Sequence, residues 1–494
     1  MAIFYTCTFN SIFTTRFWVD VRSSEHSSCS HCDCKPSIRS SLSRHFRLLS
    51  RINISQPCRA IKSRTTSQPY RESTFFSILK QSDSGMGKST KASVLTSVVI
   101  AVVFGCLSHA GDCSGNTLTL NKESKTQSIV FPVSGNVYPL GYYSVSMKIG
   151  NPPRAYELDI DTGSDLTWIQ CDAPCTGCNK PRDELYKPRN NVVRCGDPLC
   201  SSIHPLCNDP NSQCDYAIDY ADQGSSLGVL VRDVFRLKLT NESTVPPRLS
   251  FGCGYNQQYS GYAPPPATVG VLGLGSGKAS INSQLKSLGI IDNVVGHCFS
   301  SQGGGYLFLG SSHVPSKINW IPLRTGSSEY YTSGPAELLF DGDKTDVKKL
   351  DLTFDSGSSY AYLNSQAYKT VLNLITRNID TKSLKRASDD DTLPICWKGR
   401  RAFRSIKEAK GYFKSMALGF PKEGNAQLVL EPEDYLIVSK RGSVCLGILN
   451  GSEVGLGNTN VVGDMFMQDK MVVYDGERMR IGWVSGACGN IPKF

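Results

Sequence analysis

The sequence predicts a mostly β chain built as two similar lobes. Three observations carry that prediction. Short runs with strand alternation, bounded by Gly, Pro or Asp, recur from Tyr142 onward. Only two segments have helical spacing, and one short motif occurs twice at a long interval. The composition agrees: 494 residues are 40% hydrophobic and 19% charged, with 44 Gly and 25 Pro. That is too apolar for a disordered chain and too turn-rich for a helical bundle.

In chain order, residues 1–85 come first, rich in Ser and Arg with a net charge of +7 and no sustained periodicity. They read as a disordered leader, either translated from an over-extended start or transit-like. Its HSSCSHCDC run (His26 to Cys34) has no second cluster to complete a metal site. Gly85 to Thr90 is not a phosphate loop, because Ser82 stands where the first Gly is needed. Residues 86–110 have a basic start at Lys88 and Lys91, an apolar run from Val94 to Leu107 and a small-residue end at Ala110. That is the pattern of a secretory signal peptide. The apolar run is short of the roughly 20 residues that span a bilayer, so no stable span is expected. An uncleaved anchor at 94–107 is the alternative. Residues 111–138 read as a short pro-segment, 139–300 as the N-terminal lobe and 301–494 as the C-terminal lobe.

The body from 111 onward carries a net charge of only +1. A nucleic-acid binder needs a basic face, so no nucleic-acid partner is expected. Twelve of the 19 cysteines lie between Cys171 and Cys488, an even number suited to six disulfides and an oxidising compartment. Cys195–Cys200 is a plausible local bridge. No metal and no cofactor are called for. Asn241 and Asn450 open Asn-x-Ser acceptors for glycosylation.

Strands are expected at YYSVSMKI, AYELDID, DLTWIQ, GVLVRDVFRLKL and VVYDGERMRIGWV, and helices around Ile281/Leu285/Leu288 and Ala367 to Ile375. The repeat is more informative. Asp161-Thr162-Gly163-Ser164 is answered 194 residues later by Asp355-Ser356-Gly357-Ser358. Val271-Leu272-Gly273 is answered 190 residues later by Val461-Val462-Gly463. Each aspartate ends an apolar strand at a glycine turn. If the lobes pack about a pseudo-twofold axis, the two carboxylates converge and share one proton. One carboxylate then takes a proton from water while the other polarises a carbonyl, which cleaves an amide without metal or covalent intermediate.

LDIDTGSDLTWIQCDAPC, CDYAIDYADQGSSLGVLVRD, LTFDSGSSYAYL and VVGDMFMQDKMVVYD resemble the pepsin-like (A1) aspartic proteases, nearest their plant nucellin-like and nepenthesin-like branch. The resemblance covers about 142–488 and implies a bilobal all-β fold. It also implies an endopeptidase with an acidic optimum that acts on proteins or peptides as a monomer. It makes Asp161 and Asp355 the catalytic pair, supported by Thr162, Gly163, Ser164, Ser356, Gly357 and Ser358. Tyr220 would be the flap tyrosine and Trp168 the indole that meets it. The tip Tyr220-Ala221-Asp222-Gln223-Gly224-Ser225 departs from the usual Tyr-Gly-x-Gly-Ser, being one residue longer. A catalytically silent binding or inhibitor protein of the same fold, or a plastid protease with DNA affinity, are the rivals. A secreted, endomembrane or vacuolar location is expected, with the plastid as alternative.

Overall fold

The computed structural model describes residues 3–9, 13–19, 127–207, 209–259, 266–324 and 330–489. Ile3–Phe9 pairs antiparallel with Phe13–Val19 as a separate two-stranded unit. The signal-peptide reading at 86–110, and the rest of the leader, lie outside the described residues.

The remainder is mostly β with short helices. One sheet has thirteen strands, and its first six are antiparallel and drawn equally from both halves of the chain. Asn319–Pro322, Arg480–Ser485 and Lys470–Asp475 come from the C-terminal half. Val294–Phe299, Gly305–Leu309 and Ile129–Asn136 come from the N-terminal half. The halves meet where Val295 faces Tyr474 and His297 faces Val472. The N-terminal half continues from there through Tyr142–Ile149 and Arg154–Asp161 to the hairpin Asp215–Asp219 and Ser225–Val234. The C-terminal half builds its own sheet around Leu350–Phe354.

The repeat is visible in the pairing. Arg154–Asp161 runs parallel to Gly270–Gly273, with Asp161 beside Gly273. Leu350–Phe354 runs parallel to Asn460–Val462, with Phe354 beside Val462. In each half a third strand closes antiparallel on the second, through Trp168 on Val271 and Tyr362 on Val461. The matched glycines follow from this crossing. A Cβ at Gly273 would lie 2.5 Å from the Asp165 backbone, and one at Gly463 would lie 2.1 Å from the Tyr360 carbonyl. No side chain fits where the chain passes itself so closely.

Three expectations about the chain's segments are corrected. The folded N-terminal half begins before residue 139, because Ile129–Asn136, within the expected pro-segment 111–138, is an interior strand of the sheet. Its alternation buries Ile129, Phe131 and Val133. The boundary at 300/301 falls inside the hairpin that joins Val294–Phe299 to Gly305–Leu309, so the N-terminal half extends through Leu309. VVYDGERMRIGWV is not one strand but a hairpin, Lys470–Asp475 with Arg480–Ser485, turned at Gly476 to Met479. The two expected helices form at Ile281–Ser287 and Ser365–Asn378, the second capped by Asn364.

All twelve body cysteines pair: Cys171–Cys253, Cys175–Cys178, Cys195–Cys207, Cys200–Cys214, Cys298–Cys488 and Cys396–Cys445. Cys195 therefore bonds Cys207 rather than Cys200, because Cys200 heads the short helix Cys200–Ile203 and is buried against Cys214. Asn450 is likewise a poor glycan acceptor. Its amide is buried, with Nδ2 donating to Glu453 at 2.7 Å and Oδ1 accepting from Ser365 at 3.0 Å. Asn241 sits in an exposed turn.

Cys298–Cys488 ties the residues after the last strand, Arg480–Ser485, to the shared sheet across 190 residues of sequence. Closing so long a loop restricts the unfolded chain, which predicts a loss of about 2–4 kcal/mol in a Cys298→Ser/Cys488→Ser variant. Urea unfolding of the oxidised protein measures it, and an unchanged midpoint would contradict the prediction.

Candidate active site

Along Arg154–Asp161 the side chains alternate. Leu158 and Ile160 enter the core, while Asp159 and Asp161 face the opposite side. That side is the wall of a cleft of about 1710 Å³ lined by both halves of the chain. It is larger than a typical small-molecule pocket of roughly 300–1,000 Å³ and has room for a stretch of peptide.

Asp161 and Asp355 meet at the floor of this cleft. Each carboxylate is held in the same way by its own loop. Asp161 Oδ1 accepts from the Gly163 amide at 2.7 Å, and Asp355 Oδ1 accepts from the Gly357 amide at 2.9 Å. The outer oxygens accept from hydroxyls, Asp161 Oδ2 from Ser164 and Asp355 Oδ2 from Ser358 at 2.7 Å. The loops are close enough that a Cβ on Gly163 would stand 2.4 Å from Asp355 Oδ1. A Cβ on Gly357 would stand 2.5 Å from Asp161 Oδ1. Glycine is required at both places so that each backbone can lie against the other carboxylate.

Beneath the carboxylates the loops are bonded crosswise. The Thr162 amide donates to Ser356 Oγ at 3.1 Å, and that hydroxyl donates to the Ile160 carbonyl at 3.0 Å. The Ser356 amide donates to Thr162 Oγ1 at 3.0 Å, and that hydroxyl donates to the Phe354 carbonyl at 3.2 Å. Thr162 and Ser356 are both buried.

Burial, and then the charge of Asp355 beside it, push the Asp161 carboxyl above the usual carboxylate range. The pair is thus set to hold one proton between two carboxylates. Tyr220 follows the strand Asp215–Asp219, where the hairpin arches over the cleft, and the Trp168 indole donates to its hydroxyl at 2.6 Å. The longer tip is closed by a bond from the Tyr220 amide to the Gly224 carbonyl, at 2.8 Å, with Gln223 in a left-handed conformation. Burial, followed by the nearby Asp161 charge, raises the Tyr220 phenol well above its ordinary value, so it stays protonated. The candidate site residues outside the glycosylation pair all line this one cleft except Thr162, which lies buried beneath it.

Sequence reasoning missed three residues around the site. Tyr474 lies under the floor and hydrogen-bonds His297 Nε2 at 3.0 Å, and burial keeps that histidine neutral by lowering it to about 3. Asp159 lines the cleft two residues before Asp161. Asp464 follows Gly463, where the first half has Leu274, and both its carboxylate oxygens are buried without a hydrogen-bond partner. The only available signal was position: Asp159 alternates with Asp161, and Asp464 breaks the internal repeat.

This architecture, two β lobes each giving one Asp-Thr/Ser-Gly loop to a common dyad, is that of the pepsin-like aspartic proteases. Two family descriptions match, xylanase inhibitor N-terminal over residues 143–311 and xylanase inhibitor C-terminal over residues 337–485. The chain is 42% identical over 392 residues to an aspartic proteinase of Oryza sativa subsp. japonica, across 76% of this chain and 95% of the relative. It is 28% identical over 395 residues to aspartic proteinase 39 of Arabidopsis thaliana, across 74% and 79%. Among solved structures it is similar to basic 7S globulin from soybean, with a TM-score of 0.59 and 16% identity over 75% of this chain and 100% of that one. It is also similar to an aspartic proteinase from Irpex lacteus, with a TM-score of 0.53 and 16% identity over 73% and 98%. The two structural likenesses show the shared fold. The chain belongs to the pepsin-like aspartic protease family.

Asp464 gives this site a testable electrostatic signature. Burial, and then the charges of Asp355, Asp161 and Asp159, raise its carboxyl well above the ordinary value. A raised folded-state value means that the folded chain binds the proton more tightly than the unfolded chain. Its stabilising effect is present below about pH 4 and is lost as pH rises toward the folded value. An amide does not titrate. Asp464→Asn should therefore match or trail the parent in melting temperature at pH 4 and gain on it steadily up to pH 7. A difference independent of pH would contradict this reading of Asp464.

Proposed function

We propose that the protein is an aspartic endopeptidase that hydrolyses peptide bonds of protein substrates under acidic conditions. The observation that carries the proposal is the matched setting of Asp161 and Asp355. Each has an inner oxygen fixed by a glycine amide and an outer oxygen fixed by a serine hydroxyl. In this reading a water sits between the inner oxygens, and the pair carries a single proton. The ionised carboxylate takes a proton from that water as its oxygen attacks the peptide carbonyl. The protonated carboxyl supplies a hydrogen bond to the carbonyl oxygen as it becomes tetrahedral. Collapse then expels the amine with a proton from the dyad, and no covalent intermediate forms. Tyr220 acts by closing over the peptide, since its phenol is already engaged by Trp168 and held protonated.

The similarity to seed globulin structures motivates the rival of a silent binding protein. Against it stand the two aspartates, their four supporting hydroxyls and Tyr220, all in bonding positions. Six disulfides and the signal-like segment at 86–110 support passage through an oxidising secretory compartment, toward a secreted or vacuolar destination.

Asp161→Asn and Asp355→Asn test the proposal. Each amide keeps the volume and several hydrogen bonds, so both variants should fold. Each should lose at least about a thousandfold in peptide cleavage at acidic pH, and the double variant should be little worse, because residues acting as a unit do not add. A statine-type inhibitor should block the parent and a metal chelator should not. Near-normal cleavage by Asp355→Asn, or no cleavage by a correctly disulfide-bonded parent, would overturn the assignment.

A further inference from the structure

Among the described residues lining the cleft, eight are acidic and one, Arg324, is basic. Arg324 is already ion-paired with Asp351. Two of the eight carboxylates are the dyad. Asp159 is the one whose position calls for a function of its own. It projects into the cleft from the same strand face as Asp161, beside Val271 on the neighbouring strand. The equivalent position in the second half is Thr353, a neutral residue bonded to Thr332, so the internal repeat does not require a carboxylate here.

The bonding of Asp159 is incomplete. Its Oδ2 accepts from Thr268 Oγ1 at 2.9 Å, while its Oδ1 is buried with no partner. A second polar group on the cleft lining is in the same condition. Gln257 is 6% exposed, and neither its amide oxygen nor its amide nitrogen has a partner. Buried acceptors without donors are costly, and a folded protein keeps few of them. A donor-rich group that arrives with a ligand would satisfy them. The titratable groups within electrostatic reach of Asp159 are Tyr142, Tyr220, Tyr259 and Asp464, with Asp161 two residues along its own strand. None of these is a cation, so no counter-charge stands beside Asp159 among the described residues.

We propose that Asp159 is a specificity-determining residue which selects substrates carrying a lysine or arginine side chain next to the scissile bond. The inference rests on the endopeptidase reading of the same cleft. A Lys ammonium brings three N–H donors and an Arg guanidinium five, either of which can fill the empty acceptor position at Asp159 Oδ1. The acidic lining of the cleft adds long-range attraction for a basic segment. Burial holds the empty Asp159 carboxyl up at about 7, and an arriving cation favours its ionised form. The preference therefore strengthens between pH 4 and pH 6.5.

The test uses two peptides with a reduced, non-cleavable bond that differ only in Lys or norleucine, placed in turn on either side of that bond. Binding is measured by calorimetry to the parent, Asp159→Asn and Asp159→Ile at pH 4 and 6.5. The parent should bind one of the Lys peptides about tenfold to a hundredfold more tightly than its norleucine partner at pH 6.5. The difference should be smaller at pH 4. Both variants should lose the preference, and Asp159→Ile should reverse it. Equal binding of Lys and norleucine by the parent, or a Lys preference that survives in Asp159→Ile, would overturn the proposal. Turnover of the corresponding cleavable peptides separates the two readings. Cleavage without Lys preference removes the role of Asp159 and leaves the endopeptidase. An Asp159-dependent Lys preference in binding without any cleavage keeps the subsite and removes the endopeptidase.

Discussion

The candidate active site depends on one interaction, the crossed hydrogen bonding of Thr162 and Ser356 beneath the two aspartates. Each hydroxyl accepts from the opposite loop's amide and donates to a carbonyl one residue before the opposite aspartate. Four bonds therefore span the two halves of the chain at a buried point. A typical buried hydrogen bond contributes only about 1 kcal/mol net, but removing one partner here would strand groups that water cannot reach. The geometry matters more than the energy. Side chains of this length leave the two loops no other approach, and the loops in turn fix where the carboxylates stand.

The surrounding fold supports that contact from below. Three strands from each half form a continuous sheet under the cleft, with Tyr474 and the neutral His297 packed where the halves join. Cys298–Cys488 fastens the chain's last described residues to the same sheet. Above the floor the flap hairpin is an extension of the N-terminal half alone, pinned by Trp168 to Tyr220. A rigid floor built from both halves and a roof built from one suits the proposed endopeptidase, which would admit a peptide and then close over it.

The meeting of the two aspartates was legible because a twofold repeat in sequence implies a twofold meeting in space. The matched glycines, Gly273 and Gly463, carried real structural information, since each marks the crossing of a second strand past the aspartate loop. Helices at Ile281–Ser287 and Ser365–Asn378 were legible from their periodic apolar residues. The interior role of Ile129–Asn136 was not, because it pairs locally with Tyr142–Ile149 on one side but on the other with residues more than 150 positions away, which leave no local trace. Disulfide connectivity failed for the same reason: nearness of Cys195 to Cys200 in sequence said nothing about where the helix Cys200–Ile203 would point. Asp159 and Asp464 were overlooked because burial without a partner is a property of the folded cleft, not of the motif.

The central claim is that Asp161 and Asp355 behave as one titrating unit. Carbon-13 NMR of protein labelled at the aspartate side-chain carboxyls measures this directly, with the Asn variants used to assign the two resonances. The account predicts that both resonances respond to both protonation steps. The upper of the two steps should lie well above the ordinary aspartate value of about 3.9. Two independent single steps, each near that ordinary value, would contradict it.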